Sequence, residues 1–360
     1  VLGSGYVDRQ DEVTVLLHDD ALLPHWQEFA NAMQLYQNPE ASHQIYVCNL
    51  QLTSSVMDLL TPALKDKPFK TFFLDNNAFI NNRKGIEFAI DIIQGNLKLT
   101  DFAWTNSTID TMDDANHLAE AIIRHPLIVQ IRLENCFGED VNAYDILCSL
   151  LTRSKQFSAI DLDTNNIRTD GGTELSNYLA TNPPLSELYL ENNHLDDNDL
   201  NLIARALKRN TNLRELDLGR NDITKVGRDA LRKAVFDSIS LNAMSGSNHT
   251  CRILGLDFGD INDVDVDEPH VRRGRKIYSL LSSRNRKGIN VRHLDSEFED
   301  DSLKLVPKVL ESVQWPLLFN QWPLLFQSDW FVHPLSVMYE ILRSWKMPTL
   351  YENNGAPMIE

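Results

Sequence analysis

Apolar positions along this chain fall into two alternating patterns. The first is extended: LSELYLENNHL (185–195) and LRELDLGRNDI (213–223) superimpose without a gap at a spacing of 28 residues. Such fixed-period self-similarity is the mark of a repeat architecture. The shared template places apolar residues at offsets 0, 3, 5 and 10 and asparagine at offset 8: Leu185, Leu188, Leu190, Leu195 with Asn193, then Leu213, Leu216, Leu218, Ile223 with Asn221. Phe157, Ile160, Leu162, Asn165 and Ile167 fit it fully, as do Phe69, Phe72, Leu74, Asn77 and Phe79. Degraded copies start at Ile128 (Ile131, Leu133, Cys136), Leu99 (Phe102, Trp104, Ile109), Ser42 (Ile45, Val47, Leu52) and Cys251 (Leu254, Leu256, Ile261).

The second pattern is helical. Ten and six residues before the starts lie Leu118 and Ile122, Leu147 and Leu151, Leu175 and Leu179, and Ile203 and Leu207, a spacing that puts each pair on one helix face. Three residues before the starts comes a turn-forming or small polar residue: Asp66, Asn96, Ser154, Asn182, Asn210 or Asn248. Each unit therefore reads as strand, turn and helix, and a strand with a helical crossover acquires a parallel neighbour. The expected fold class is α/β.

The run L-x-x-L-x-L-x-x-N, followed by a helix in units of 27 to 30 residues over roughly 42–262, resembles the ribonuclease-inhibitor-like class of leucine-rich repeat proteins. Cys136 at the asparagine position is a substitution the repeat consensus tolerates, whereas Leu50 and Ser107 depart from it. The resemblance implies a horseshoe-shaped solenoid with strands lining the concave face, helices on the convex face, and a role in protein recognition.

A stack of repeats must cover its apolar ends. Residues 1–41 contain VTVLL (13–17) and ALLPHWQEFANAMQLY (21–36), which predict a capping strand and helix. Residues 42–262 hold the repeats, and 263–360 a mostly helical cap or extension. In the last part INVRHL (289–294) predicts a final strand and DDSLKLVPKVLESV (300–313) a helix that Pro307 would interrupt. SISLNAMSGSNHT (238–250) reads as a polar loop projecting from the solenoid. The basic helix 271–287 is expected to pair with the acidic INDVDVDE (261–268), and the tandem QWPLLFN/QWPLLFQ (314–327) either closes a small core or forms a docking patch.

Offsets 3 and 5 of each strand point into the core, so offsets 2, 4 and 6 point outward. The outward set is acidic with scattered aromatics, and the candidate partner-binding residues are Tyr46, Phe73, Asp75, Asp101, Arg132, Glu134, Asp161, Asp163, Glu187, Tyr189, Glu191, Glu215, Asp217 and Asp257. Ile253 and Gly255 fall in the same set, and Arg132 is its only base. Parallel strands lie about 4.8 Å apart, inside a Debye length of about 8 Å. Neighbouring carboxylates thus reinforce one potential and repel one another. A basic protein partner explains that cost; solubility alone is the competing explanation. Tyr46, Phe73 and Tyr189 weigh toward an interface.

Composition narrows the field. The chain is 42% apolar and 24% charged with a net charge of -17, which disfavours nucleic acid and anionic membranes as ligands. No apolar run is long enough to span a bilayer and no basic-then-apolar leader is visible, so a soluble, cytoplasmic, monomeric protein is expected. Four cysteines without close pairing suit a reducing compartment. Asp263, Asp265 and Asp267 imitate a calcium loop, but Glu268 and Gly274 stand where glycine and glutamate are required. No HExxH, phosphate loop or GxSxG elbow occurs. No metal, cofactor or enzymatic activity is expected, and a ubiquitin-ligase thiol is excluded after the repeats because no cysteine follows Cys251. The irregular repeats also resemble eukaryotic-type repeat proteins that intracellular bacteria deliver into host cells. An alternative resemblance is to repeat proteins that activate small GTPases, here acting partly through the C-terminal segment.

Overall fold

A computed structural model describes residues 14–35, 43–153, 157–256 and 269–297. Asp257, the acidic stretch 261–268, the helix expected over 300–313 and the WPLLF tandem lie outside the described residues. The chain divides into two compact units, Val1–Arg228 with Cys251–Asp257, and Asp229–Thr250 with Phe258–Glu360.

The first unit is a parallel sheet with a helix after nearly every strand. Its strands are β1 (His43–Cys48), β3 (Phe69–Asp75), β5 (Asp101–Thr105), β6 (Gln130–Arg132), β7 (Ala159–Asp161), β8 (Glu187–Tyr189), β9 (Glu215–Asp217) and β10 (Arg252–Leu254). They follow one another in the sheet in chain order. Two short segments, β2 (Gln51–Leu52) and β4 (Ala78–Phe79), pair beside it. Each of the eight repeat copies read from the sequence contributes one strand of this sheet, and the α/β solenoid read from the sequence is what the chain builds.

Burial explains the template. Leu185, Leu188, Leu190 and Leu195 are fully buried, as are Phe157, Ile160, Leu162 and Ile167, and strand pairing stacks Phe72, Phe102, Ile131, Ile160, Leu188 and Leu216 in register. The helices α2 (Ser54–Leu64), α3 (Asn82–Gly95), α4 (Met112–Arg124), α5 (Ala143–Arg153), α6 (Glu174–Ala180) and α7 (Asp197–Leu207) close the other side of this core. Every residue of the i, i+4 pairs, from Leu118 and Ile122 to Ile203 and Leu207, is buried.

Two ladders of side chains hold the turns. The offset-8 asparagines Asn77, Asn165 and Asn193 are buried and Asn221 half-buried: Asn193 Oδ1 accepts from the Asn165 and Ile167 N–H groups, and its Nδ2 donates to the carbonyls of Leu162 and Glu191. Asn165 does the same one repeat earlier, accepting from Cys136 and Phe137 and donating to Leu133. The preceding residue in each repeat adopts a left-handed backbone: Asn49, Asn76, Asn106, Asn135, Thr164, Asn192 and Arg220 have φ between 49 and 60°. Asparagine tolerates this conformation and β-branched threonine resists it, so Thr164 is the strained member. A third set closes the helix ends, and here a histidine stands in for asparagine. His125 Nδ1 accepts from the Leu127 and Ile128 N–H groups while Nε2 donates to the Asn96 carbonyl at 2.9 Å. Burial holds its imidazole below the usual pKa, so the neutral form that this double role requires is favoured.

At the N-terminus the helix α1 (Leu23–Leu35) forms as expected and packs on α2. Instead of a strand, VTVLL supplies one parallel bridge, Leu16 to Leu50, and Leu16 and Leu17 remain exposed.

The second unit corrects two expectations, and the pairing expected between its basic helix and 261–268 lies outside the described residues. The 238–250 segment is not a free loop: α9 (Leu241–Ser245), after α8 (Lys225–Val235), buries Leu241 and Met244. INVRHL is helical, in α11 (Asn290–Glu297), because Asn290 and Leu294, four residues apart, are both fully buried. The basic helix α10 (Pro269–Arg286) directs Arg272, Lys276 and Arg284 onto main-chain carbonyls of 229–250. Lys276 donates to Val235 at 2.7 Å and Asn248 at 2.9 Å, and Arg272 to Thr250 at 2.6 Å. Arg284 forms a buried bidentate pair with Glu297 and also reaches the Ile239 carbonyl.

Candidate partner-binding face

Pairing in register sets the outward residues in rows across the strands. One row runs Tyr46, Phe73, Ala103, Arg132, Asp161, Tyr189, Asp217 and Leu254. Beside it run Gln44, Thr71, Asp101, Gln130, Ala159, Glu187, Glu215 and Arg252. Main-chain bonds continue the ladder past the short strands, from Asn135 N–H to the Asp163 carbonyl and from Thr164 N–H to that of Glu191, which aligns Glu134, Asp163 and Glu191 in a third row. Apart from Asp257, outside the described residues, all candidate residues lie on this one face.

The last strand departs from expectation by one residue. Ile253, not Leu254, pairs with Leu216 and is buried, while Arg252 and Leu254 face outward. A one-residue slip exchanges the two faces of a strand, so Ile253 leaves the outward set and Arg252 joins it. CRILGL offers two alternating apolar pairs, Cys251/Ile253 and Leu254/Leu256, and the preceding 38-residue unit removes the spacing that would choose between them. Beyond Gly219 the third row ends in backbone: a Cβ on Gly255 would lie 2.3 Å from the Gly219 main chain, and its φ of +70° favours glycine.

Bases on the face are more numerous than the sequence implies. Arg132 pairs with Asp161 at 2.7 Å, Arg220 with Glu191 at 3.3 Å, and Arg252 with Glu215 at 3.6 Å. Arg132 so covers Asp161 that it is only 9% exposed. The Tyr189 hydroxyl lies 2.9 Å from a Glu215 oxygen and 3.3 Å from one of Glu187, able to donate to either. Asp75 accepts from the Thr105 hydroxyl and the Asn106 amide, Asp101 accepts from the Thr100 hydroxyl, and Asp217 takes the Gly219 N–H. Tyr46 and Phe73 pack with ring centroids 5.4 Å apart.

Asp163 is the most perturbed carboxyl of the face. Burial first, then the charge of Asp161 and those of Asp217 and Glu134, push its pKa up to about 8, against the Glu191 N–H that it accepts at 2.6 Å. Its folded pKa lies above the unfolded value of about 3.9, so folding takes up a proton. The associated stability is full below about pH 4 and is lost as the pH rises through 8. Asp163→Asn keeps an acceptor for the Glu191 N–H and removes the charge. Urea unfolding of this variant should show a shallower loss of stability between pH 5 and 8 than the parent, and greater stability than the parent at pH 8. Parallel pH curves would contradict the assignment.

Other chemistry is absorbed by structure. Cys48 is pushed up to about 11 by burial and then by Asp75, and burial also raises the Cys136 and Cys148 thiols, which keeps all three protonated at neutral pH. Among the described residues, Asp113, Asp114 and His117 form a group with metal-ligand spacing. The Arg83 guanidinium lies 3.0 Å from Asp113 and 2.6 Å from Asp114, so those carboxylates already hold a cation. No helix among the described residues is long and apolar enough to cross a membrane.

A family model described as Leucine Rich repeat matches residues 209–231, the unit that contains β9 and the start of α8. The match supports a leucine-rich repeat protein, a kind of chain that serves in protein–protein interaction. No curated protein matches the sequence.

Proposed function

We propose that this protein is a non-enzymatic recognition module that binds a basic protein on the outward face of its parallel sheet. The observation that carries this reading is the concentration of carboxylates across β6 to β9, where Glu134, Asp161, Asp163, Glu187, Glu191, Glu215 and Asp217 share one surface. The apolar core is complete beneath these positions, and Asp161, Asp163 and Asp217 among them also accept main-chain N–H groups. Burial first, and then repulsion from Asp161, Asp217 and Glu134, raises Asp163 enough that it holds its proton at neutral pH. A cationic partner relieves that repulsion, and the same field steers it in.

The protein acts as a monomer in a reducing compartment, its own cytoplasm or, as a delivered effector, that of a host cell. The four free cysteines agree with that setting. Crosslinking capture from lysates of the source cell and of candidate hosts tests the reading. The captured protein should be basic, and its affinity should fall at least about tenfold between about 0.05 and 0.5 M salt, as screening shortens the reach of the face. Capture of acidic proteins, or capture indifferent to salt, would overturn it.

A further inference from the structure

The outward positions are sorted along the sheet. The end formed by β1 and β3 carries Tyr46 and Phe73 in contact, with Tyr46 37% exposed and Phe73 half-buried. Beside Phe73 the row continues to the small Ala103 and only then to Arg132. The carboxylate of this end, Asp75, is engaged by the neutral donors Thr105 and Asn106. From β7 onward the positions turn acidic, with Tyr189 set between Glu187 and Glu215. Four strand steps separate β3 from β8, about 19 Å at about 4.8 Å per step.

We infer that the face reads its partner in two parts: an apolar or aromatic side chain seated on Tyr46 and Phe73, and Lys or Arg residues about 20 Å away on the carboxylates of β8 and β9. The bound segment crosses the strands with its apolar anchor toward β1. This rests on the protein-recognition reading of the face and adds the composition and polarity of what is recognised. Charge complementarity selects a cationic stretch, and fully packed aromatics are where binding energy concentrates. Placing the anchor outside the acidic zone spares it the strongly hydrated carboxylates, which an apolar group would desolvate without compensation.

The probe is a synthetic peptide with one tryptophan, a Gly-Ser spacer of about six residues and a run of arginines, compared with the same peptide bearing serine for tryptophan. On the parent chain the serine peptide should bind about tenfold more weakly. On Phe73→Thr the two peptides should differ less than twofold, and Tyr46→Thr, at an exposed site, should give the same loss of discrimination with the fold intact. Equal discrimination by the parent and both variants would overturn the two-part reading while arginine-dependent binding left the acidic face standing. Failure of every arginine peptide to bind would overturn both.

Discussion

Replacing Asn193 with alanine should lower the free energy of unfolding by about 4 kcal/mol. The side chain is 3% exposed and serves the Asn165 and Ile167 N–H groups and the Leu162 and Glu191 carbonyls at once. Alanine would leave these main-chain groups in the interior without their partner, at roughly 1 to 3 kcal/mol for each that water cannot reach. Because the bonds join consecutive repeats, the loss falls on an interface between neighbours, the quantity that holds a solenoid together. Asn192→Ala beside it is the control: Asn192 is exposed at a φ of 54°, and alanine there should cost only about 1 kcal/mol of left-handed backbone strain. Chemical denaturation of the two variants decides the matter. Equal losses would mean that the buried ladder contributes no more than the exposed one.

The period of the repeat was legible because the apolar positions at offsets 3 and 5 are used identically in the units of β3 to β9, where each must fill the same slot between sheet and helices. Asn77, Asn165, Asn193 and Asn221 were legible for the same reason, since one donor–acceptor geometry recurs. His125 was not. It occupies the position three residues before Ile128 where asparagine is usual, and only its two ring nitrogens, one accepting and one donating, reveal the equivalence. The slip at β10 was hidden because both registers of CRILGL bury an apolar pair. The fates of Arg220 and Arg252 were hidden too, since neither a left-handed turn nor a shifted strand is written in a spacing rule. Strand alternation placed the outward carboxylates on one side of the sheet. It could not show that three arginines already partly neutralise that side, or that Tyr46 and Phe73 pack together at one end.

The central claim is that the carboxylates of β8 and β9, and not the overall charge of -17, hold the partner. Reversal of Glu187, Glu191, Glu215 and Asp217 to lysine tests it most directly, with affinity for the captured basic partner as the readout. Like-charge contact across an interface costs several kcal/mol, so the account predicts at least about a hundredfold loss and disappearance of the salt dependence. A matching set with glutamine at 187, 191 and 215 and asparagine at 217 retains hydrogen-bonding capacity at Tyr189 and Gly219 and should give an intermediate loss with an unchanged fold. Reversal of Asp110, Glu139, Asp140 and Asp145, exposed carboxylates off the sheet face, shifts net charge equally and should leave affinity within about threefold of the parent. Full binding by the sheet-face variant, or equal losses from both sets, would contradict the account.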